Sequence, residues 1–263
     1  MSNVVLPGLR LVRSAAADGF TNMAVDEAIL QAHAQGQVPP TLRLYAWQPP
    51  AISTGYFQPV RRDVNLEACA RAGVDVVRRL TGGRAVLHAD EVTYSIVISE
   101  ALLPEAGVLE AYRILSNGLI AGLRQLGVEA RLAPGQRALR GPTGADCFAA
   151  AARCDLVVAG EKICGSAQVR RLGVILQHGA LPLKLADPSP FWNEPGAPPH
   201  ATDLARALGR HPSWEEVADA LEAGFGEALG APLTRGELTP AERALAEQLR
   251  REKYATEAWN LRR

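Results

Sequence analysis

The chain has 263 residues, 48% of them hydrophobic, and its 28 basic residues are balanced by 28 acidic ones. That balance leaves no global field to draw nucleic acid or an anionic membrane, and no apolar run approaches the roughly 20 residues that span a bilayer. Four cysteines without CxxC spacing, in a chain long enough to bury its own core, read as reduced thiols of a soluble, cytoplasmic globular enzyme; Met1 to Arg13 has no apolar core of signal-peptide length.

Asn22 to Ala34 is predicted helical, with Ala24, Ala28 or Ile29, and Ala32 at helical spacing and Gly36 just beyond. Leu42 to Trp47 puts Leu42, Leu44 and Ala46 on one face of a half-buried strand, which Pro49-Pro50 ends. Ala51 to Phe57 is expected as a second strand, Leu66 to Ala72 as a short helix, and Val74 to Arg79 as a third strand delivering a glycine-rich run; Thr93 to Ile98 then continues the sheet. Val108, Tyr112, Leu115, Leu119, Leu123 and Leu126 recur at steps of three or four, and Gly127 supplies a C-terminal cap. Pro134 to Ala145 has little periodicity and reads as a long loop leading into Cys147. Asp155 to Val158, Lys162 to Gln168 and Gly173 to Leu183 read as consecutive antiparallel strands, the first two joined by a turn at Ala159 to Glu161. Unbroken alternation places Lys162, Cys164, Ser166 and Gln168 on one face, with Ile163, Gly165 and Ala167 on the other. Ala186 to Pro199 holds five prolines and ends the sheet region. Capping-box starts at Ser213 with Glu216 and at Thr239-Pro240 with Glu242 open the final helices, the first with Val217, Leu221 and Phe225 as its buried stripe. The whole, residues 1–263, reads as one α+β domain with a helical C-terminal portion.

The densest chemistry lies between residues 78 and 178. Cys147 stands fifteen positions before Lys162. A thiolate is the nucleophile of cysteine chemistry and a nearby ammonium stabilises it, so a Cys held against a Lys is a candidate acyl-transfer site. Gly82 and Gly83 allow the backbone to approach an acyl head group with N–H donors exposed. Arg79, Arg84 and His88 flank that pair. Neither His88 nor His178 stands at metal-ligand spacing from a Cys or Asp, so a zinc site is not expected. Cys164 is a rival nucleophile because alternation puts it on the lysine's face, whereas Cys69 and Cys154 read as packing residues.

Arg79 with Thr81-Gly82-Gly83-Arg84-Ala85-Val86-Leu87-His88, then Gly160-Glu161-Lys162-Ile163-Cys164-Gly165-Ser166-Ala167-Gln168, then Leu176-Gln177-His178-Gly179 occur in that order. Together, from about Leu11 to Leu183, they resemble the lipoate-protein ligase and octanoyltransferase superfamily. The resemblance implies a biotin/lipoate-ligase-like fold, a central mixed, largely antiparallel sheet flanked by helices, with the acyl group in a tunnel over the glycine loop. The ATP-dependent ligases of that superfamily carry a third consecutive glycine where this chain has Arg84. The LipM-type octanoyltransferases carry a Cys-Phe pair fifteen positions before the lysine, as Cys147-Phe148 stands to Lys162. LipB-type enzymes place their cysteine after the lysine motif, and the octanoyl-relay amidotransferases lack the Gly82 to His88 pattern. The resemblance therefore favours the LipM type.

On that resemblance Cys147 attacks octanoyl-acyl carrier protein, forms an acyl-enzyme and releases the carrier. The octanoyl group then passes to a lysine of a lipoyl-carrier protein such as glycine-cleavage H protein or a dehydrogenase lipoyl domain. Thioester exchange is near thermoneutral and amide formation is downhill, so no ATP or other cofactor is needed. Lys162 is expected to tune the thiol and hold the developing oxyanion, an interaction worth about 3 to 4 kcal/mol where measured. Arg79, Gly82, Gly83, Arg84, His88, Ser166, Gln168 and His178 are expected to bind substrate, Arg84 by way of the carrier's phosphopantetheine phosphate. The rival readings are an ATP-dependent lipoate ligase, a non-catalytic acyl- or biotin-binding module, and a cysteine hydrolase.

Overall fold

The structure, a computed structural model, describes residues 8–103, 107–133, 146–149, 155–194 and 200–262. The loop expected over 134–145 and Cys154 lie outside them. Strand β1 (Leu9–Arg13) leads to helix α1 (Gly19–Ala34), which Asp18 caps by accepting the Thr21 N–H. Apolar spacing put that start at Asn22; the capping aspartate sets it earlier. There follow β2 (Thr41–Tyr45), β3 (Ala51–Thr54), α2 (Val60–Asp63), α3 (Leu66–Ala72) and β4 (Asp75–Arg78). Beyond the glycine loop come β5 (Val86–His88), β6 (Glu91–Ser99), α4 (Val108–Gln125) and β7 (Arg131–Leu132). Then β8 (Leu156–Val158), β9 (Glu161–Arg171) and β10 (Val174–Pro182) form a meander. The chain closes with α5 (Leu204–Leu208), α6 (Trp214–Leu229), β11 (Leu233–Arg235), α7 (Pro240–Leu249), a π-helical turn at Arg250–Tyr254 and α8 (Glu257–Asn260).

An eight-stranded sheet runs in the order β11-β1-β2-β6-β10-β9-β8-β7. Neighbours from β2 to β7 are antiparallel, and β1 pairs in parallel with β2 and β11. The expected mixed, largely antiparallel sheet is therefore present. A correction concerns the strands around the glycine loop, which sequence reading put in a single sheet. β4 and β5 instead flank β3 in a separate three-stranded sheet, and β6 alone joins the large one. Alternation reveals a strand but not its partner, so this division left no mark in the periodicity.

Helices cover both faces of the large sheet. On one, Tyr94, Ile96 and Ile98 of β6 and Ile175 and Leu181 of β10 pack against Leu115, Leu119 and Leu123 of α4 and Val217, Leu221 and Phe225 of α6. The two helices cross closely because glycines meet: a Cβ on Gly224 would fall 2.2 Å from the Gly122 nitrogen, and one on Gly118 would fall 2.3 Å from the Phe225 ring. On the other face, α1 sits over Tyr45, Val97, Val174 and Leu176 with Tyr254 and Ala246 of the C-terminal helices behind it.

Candidate active site

Cys147 opens a single 3-10 turn, Cys147–Ala149. Its N–H donates to the Ala85 carbonyl at 2.8 Å, and Asp146 forms a parallel bridge to Ala85, so the nucleophile's turn is tied to the end of the glycine loop. Phe148 buries its ring among Val86, Ala180 and Ala201, leaving the Cys147 side chain half-buried beside that cluster.

Lys162 reaches Cys147 from the start of β9. Its Nζ lies 3.4 Å from Sγ, donates to the Cys147 carbonyl at 3.0 Å, and pairs with Asp155 at 2.8 Å. The Phe148 ring centroid is 5.2 Å away, and the lysine is only 1% exposed. Burial pulls the ammonium's pKa down, but the charges of Cys147 and Asp155 outweigh it and hold the group above the ordinary lysine value. A cation is thus fixed beside the sulfur. Gly165 makes room for it: a Cβ there would lie 2.9 Å from Nζ and 3.5 Å from Sγ.

The register of β9 corrects the expected strand face. Val157 pairs with Lys162 but Leu156 pairs with Cys164, so Ile163 is an extra residue and the ladder shifts. Such a bulge breaks the period of two and re-aims side chains. Lys162 therefore turns toward Gly165 and Cys147, while Cys164 packs with Leu156 in the apolar core under α4. Cys164 is 1% exposed, and burial pushes its thiol up to about 12. The rival nucleophile is a core residue. Burial likewise pushes Cys69 up to about 11, in the cluster behind the small sheet.

Cys147 lines a pocket with Met23, Trp47, Val86, Ala167 and Ala180 as apolar walls, and Arg79, Gly83, His88, Ser166 and His178 line the same space. The polar residues are held by one another. Arg79 donates through Nη1 to the Ser53 carbonyl at 2.7 Å and through Nη2 to the carbonyls of Gly82 and Arg84 at 2.9 and 2.6 Å. It is therefore the internal tie of the glycine loop. Gly83 adopts φ +93°, which favours glycine, and the loop seats against β3 because Gly55 has no side chain: a Cβ there would fall 1.9 Å from the Gly83 oxygen. His88 bridges Ser53 and Glu91, each at 2.7 Å, and stacks on Trp47 with centroids 4.0 Å apart. His178 hydrogen-bonds Thr81 Oγ1 through Nε2 at 2.7 Å and faces Asp26 through Nδ1 at 3.4 Å. Burial holds His178 below the ordinary histidine value against the opposing pull of Asp26.

One expected residue stands apart. Gln168 donates to Gln177 at 3.0 Å and does not line the pocket, whereas Ser166 does, its hydroxyl hydrogen-bonded to that of Tyr94 at 2.8 Å. Arg84 ties the loop by its carbonyl, and its charge acts on Asp146. Sequence reading missed Asp155, Gly165, Trp47 and Asp26. Asp26 accepts from Arg43 and Ser95 at 2.8 Å and from Tyr45 at 3.0 Å beneath the pocket. An aspartate between Val25 and Glu27, inside a helix of mostly apolar residues, was the available signal.

Residues 18–226 match the lipoyl protein ligase A/B catalytic domain family. The chain belongs to that family. Within the lipoyl protein ligase A/B family it is 47% identical to octanoyltransferase LipM of Symbiobacterium thermophilum, across 97% of this chain and 98% of that one. It is 46% identical to octanoyltransferase LipM of Kyrpidia tusciae over the same shares. Among solved structures, a lipoate-protein ligase A bound with ATP superposes with TM-score 0.82 at 28% identity, covering 97% of this chain and 98% of that one.

Proposed function

We propose that this chain moves an octanoyl group from octanoyl-acyl carrier protein to a lysine of a lipoyl-carrier protein through a thioester on Cys147. The observation that carries the reading is Lys162 Nζ, 3.4 Å from Cys147 Sγ at the wall of an apolar pocket. The sulfur attacks the donor thioester, the carrier's thiol leaves, and the acyl chain remains in the pocket against Met23, Trp47 and Ala167. Each methylene buried there contributes about 0.8 kcal/mol. Lys162 balances charge on the sulfur and offers a donor to the oxyanion, and Arg79 keeps the glycine loop shaped around it. A lysine amine of the second carrier, of which glycine-cleavage H protein is the expected example, then takes the acyl group. Identity of 40–47% to octanoyltransferases over nearly the whole length supports the same reading. Incubation with octanoyl-acyl carrier protein in the absence of ATP tests it. Intact mass should show one octanoyl adduct that Cys147→Ala abolishes; no adduct without ATP would favour the ligase chemistry of the structural neighbours instead.

A further inference from the structure

A second cavity adjoins the acyl pocket. Alternation along β5 sends Val86 and His88 to the acyl pocket and Leu87 to this one, and Phe148 packs between Val86 on one side and Leu185 on the other. Pro182, Ala186 and Pro188 extend its apolar wall, and its charged groups are Asp90, Glu91, Asp146 and Lys184. Glu91 accepts from His88 and Thr93, Asp90 pairs with His211 at 2.6 Å, and Lys184 is exposed. Asp146 differs. It is 7% exposed, its Oδ1 accepts the Phe148 N–H at 2.9 Å, and its Oδ2 has no partner among the described residues. That second oxygen stays open to the space that Asp146 lines.

A buried carboxylate with one oxygen unpartnered, in the lining of a largely apolar cavity and one residue before the nucleophile, matches an alkylammonium. We infer that this cavity admits the acceptor's lysine side chain, its methylenes against Leu87, Phe148, Pro182 and Leu185, and that Asp146 takes the proton the ammonium must lose before attack. The inference rests on the acyl-enzyme reading above. Burial raises the Asp146 carboxyl above its ordinary value, against the Phe148 N–H and the charges of Lys162 and Arg84, which makes it a better proton acceptor. In the step itself the lysine nitrogen bonds to the acyl carbon, the carbon–sulfur bond breaks, and Cys147 departs as a thiolate beside Lys162. Of the two protons the ammonium loses, the first goes to Asp146 and on to solvent through the cavity. The second leaves as the tetrahedral adduct collapses, to the sulfur or to water.

The test isolates the second half-reaction. Octanoyl-enzyme is formed, freed of donor, and mixed with an apo lipoyl domain or with hydroxylamine, a small nucleophile that is neutral at pH 7. Asp146→Asn should still acylate but transfer to the lipoyl domain about 10²-fold more slowly at pH 7. That deficit should shrink about tenfold per unit as pH rises toward 9, because the free-amine fraction of a lysine of pKa near 10.4 grows by that factor. Hydroxylamine release should be unchanged. An unaltered transfer rate, or hydroxylamine release slowed as much as transfer, overturns the role of Asp146. Should Asp146→Asn fail to fold or acylate, Leu185→Trp decides: filling the cavity should slow lysine transfer about tenfold or more and spare hydroxylamine. Slower acyl-enzyme formation in that variant assigns the cavity to the donor's pantetheine arm and overturns the inference. A wild-type enzyme that never acylates overturns the acyl-enzyme reading and this inference together; an acylated wild type with unaffected variants overturns this inference alone.

Discussion

The two faces of the large sheet are made from different chemistry. Under α4 and α6 the contacts are apolar and close, with glycines letting helix backbones nearly touch. Under α1 the sheet buries Arg43, Tyr45, Ser95 and His178 around Asp26, and the acyl pocket opens beside them. Close apolar packing supplies most of the stabilisation, whereas a buried charge network contributes little net energy for the groups it holds in place. The bulge in β9 decides which of the two faces Lys162 serves.

The sharpest break between the faces is Cys147→Ala. Acyl transfer should fall by at least about 10⁴-fold with the melting temperature unchanged, as loss of a covalent nucleophile does elsewhere. Phe225→Ala should do the opposite: about 3–5 kcal/mol lost in urea unfolding, from the cavity opened against α4, with activity per folded molecule retained. Gly165→Ala should cost about 10- to 10²-fold in acyl-enzyme formation, because its methyl group crowds the Lys162 ammonium, while stability changes little. Cys164→Ala should lose about 1 kcal/mol of stability and no activity, and any loss of acylation there would reopen the choice of nucleophile. The last effect is in pH and leaves stability at pH 7 and above untouched. His178 has its pKa lowered by burial, with Arg79 and His88 adding to the lowering and Asp26 opposing, so it stays neutral where an unfolded histidine binds a proton. Stability from this face is then complete above the unfolded value near 6.5 and falls as pH drops from 7 to 5, by at most about 1.4 kcal/mol per unit. His178→Gln should flatten that part of the melting-temperature profile.

Much of this was legible beforehand, for identifiable reasons. α3 and α4 follow from spacing and caps, and the β8–β10 meander from turns at Gly160 and Gly173, both at positive φ. Cys147 and Lys162 were visible as residue types at a fixed separation, which survives any detail of the path between them. The bulge was not visible, because a period of two carries no sign of an extra residue until the ladder is paired. Nor was the role of Arg79, which reads as a substrate-binding charge but spends its donors on loop carbonyls. Asp155 was passed over because it read as the first residue of a strand, and only the fold brings it 2.8 Å from Lys162.

β4, the strand that delivers the glycine loop, is fastened by residues far along the chain. Arg78 donates to the carbonyls of Trp259 and Asn260 at 3.2 and 3.0 Å, its N–H meets Asn260 Oδ1 at 2.9 Å, and Trp259 Nε1 returns a bond to the Arg78 carbonyl at 2.8 Å. During synthesis Arg78 therefore meets its upstream acceptors, the carbonyls of Gly55, Tyr56 and Gln58, long before the downstream ones at Trp259 and Asn260 exist. The nucleophile and its lysine likewise precede that last fastening, so the acyl-transfer site is closed at its back by the final residues to be made.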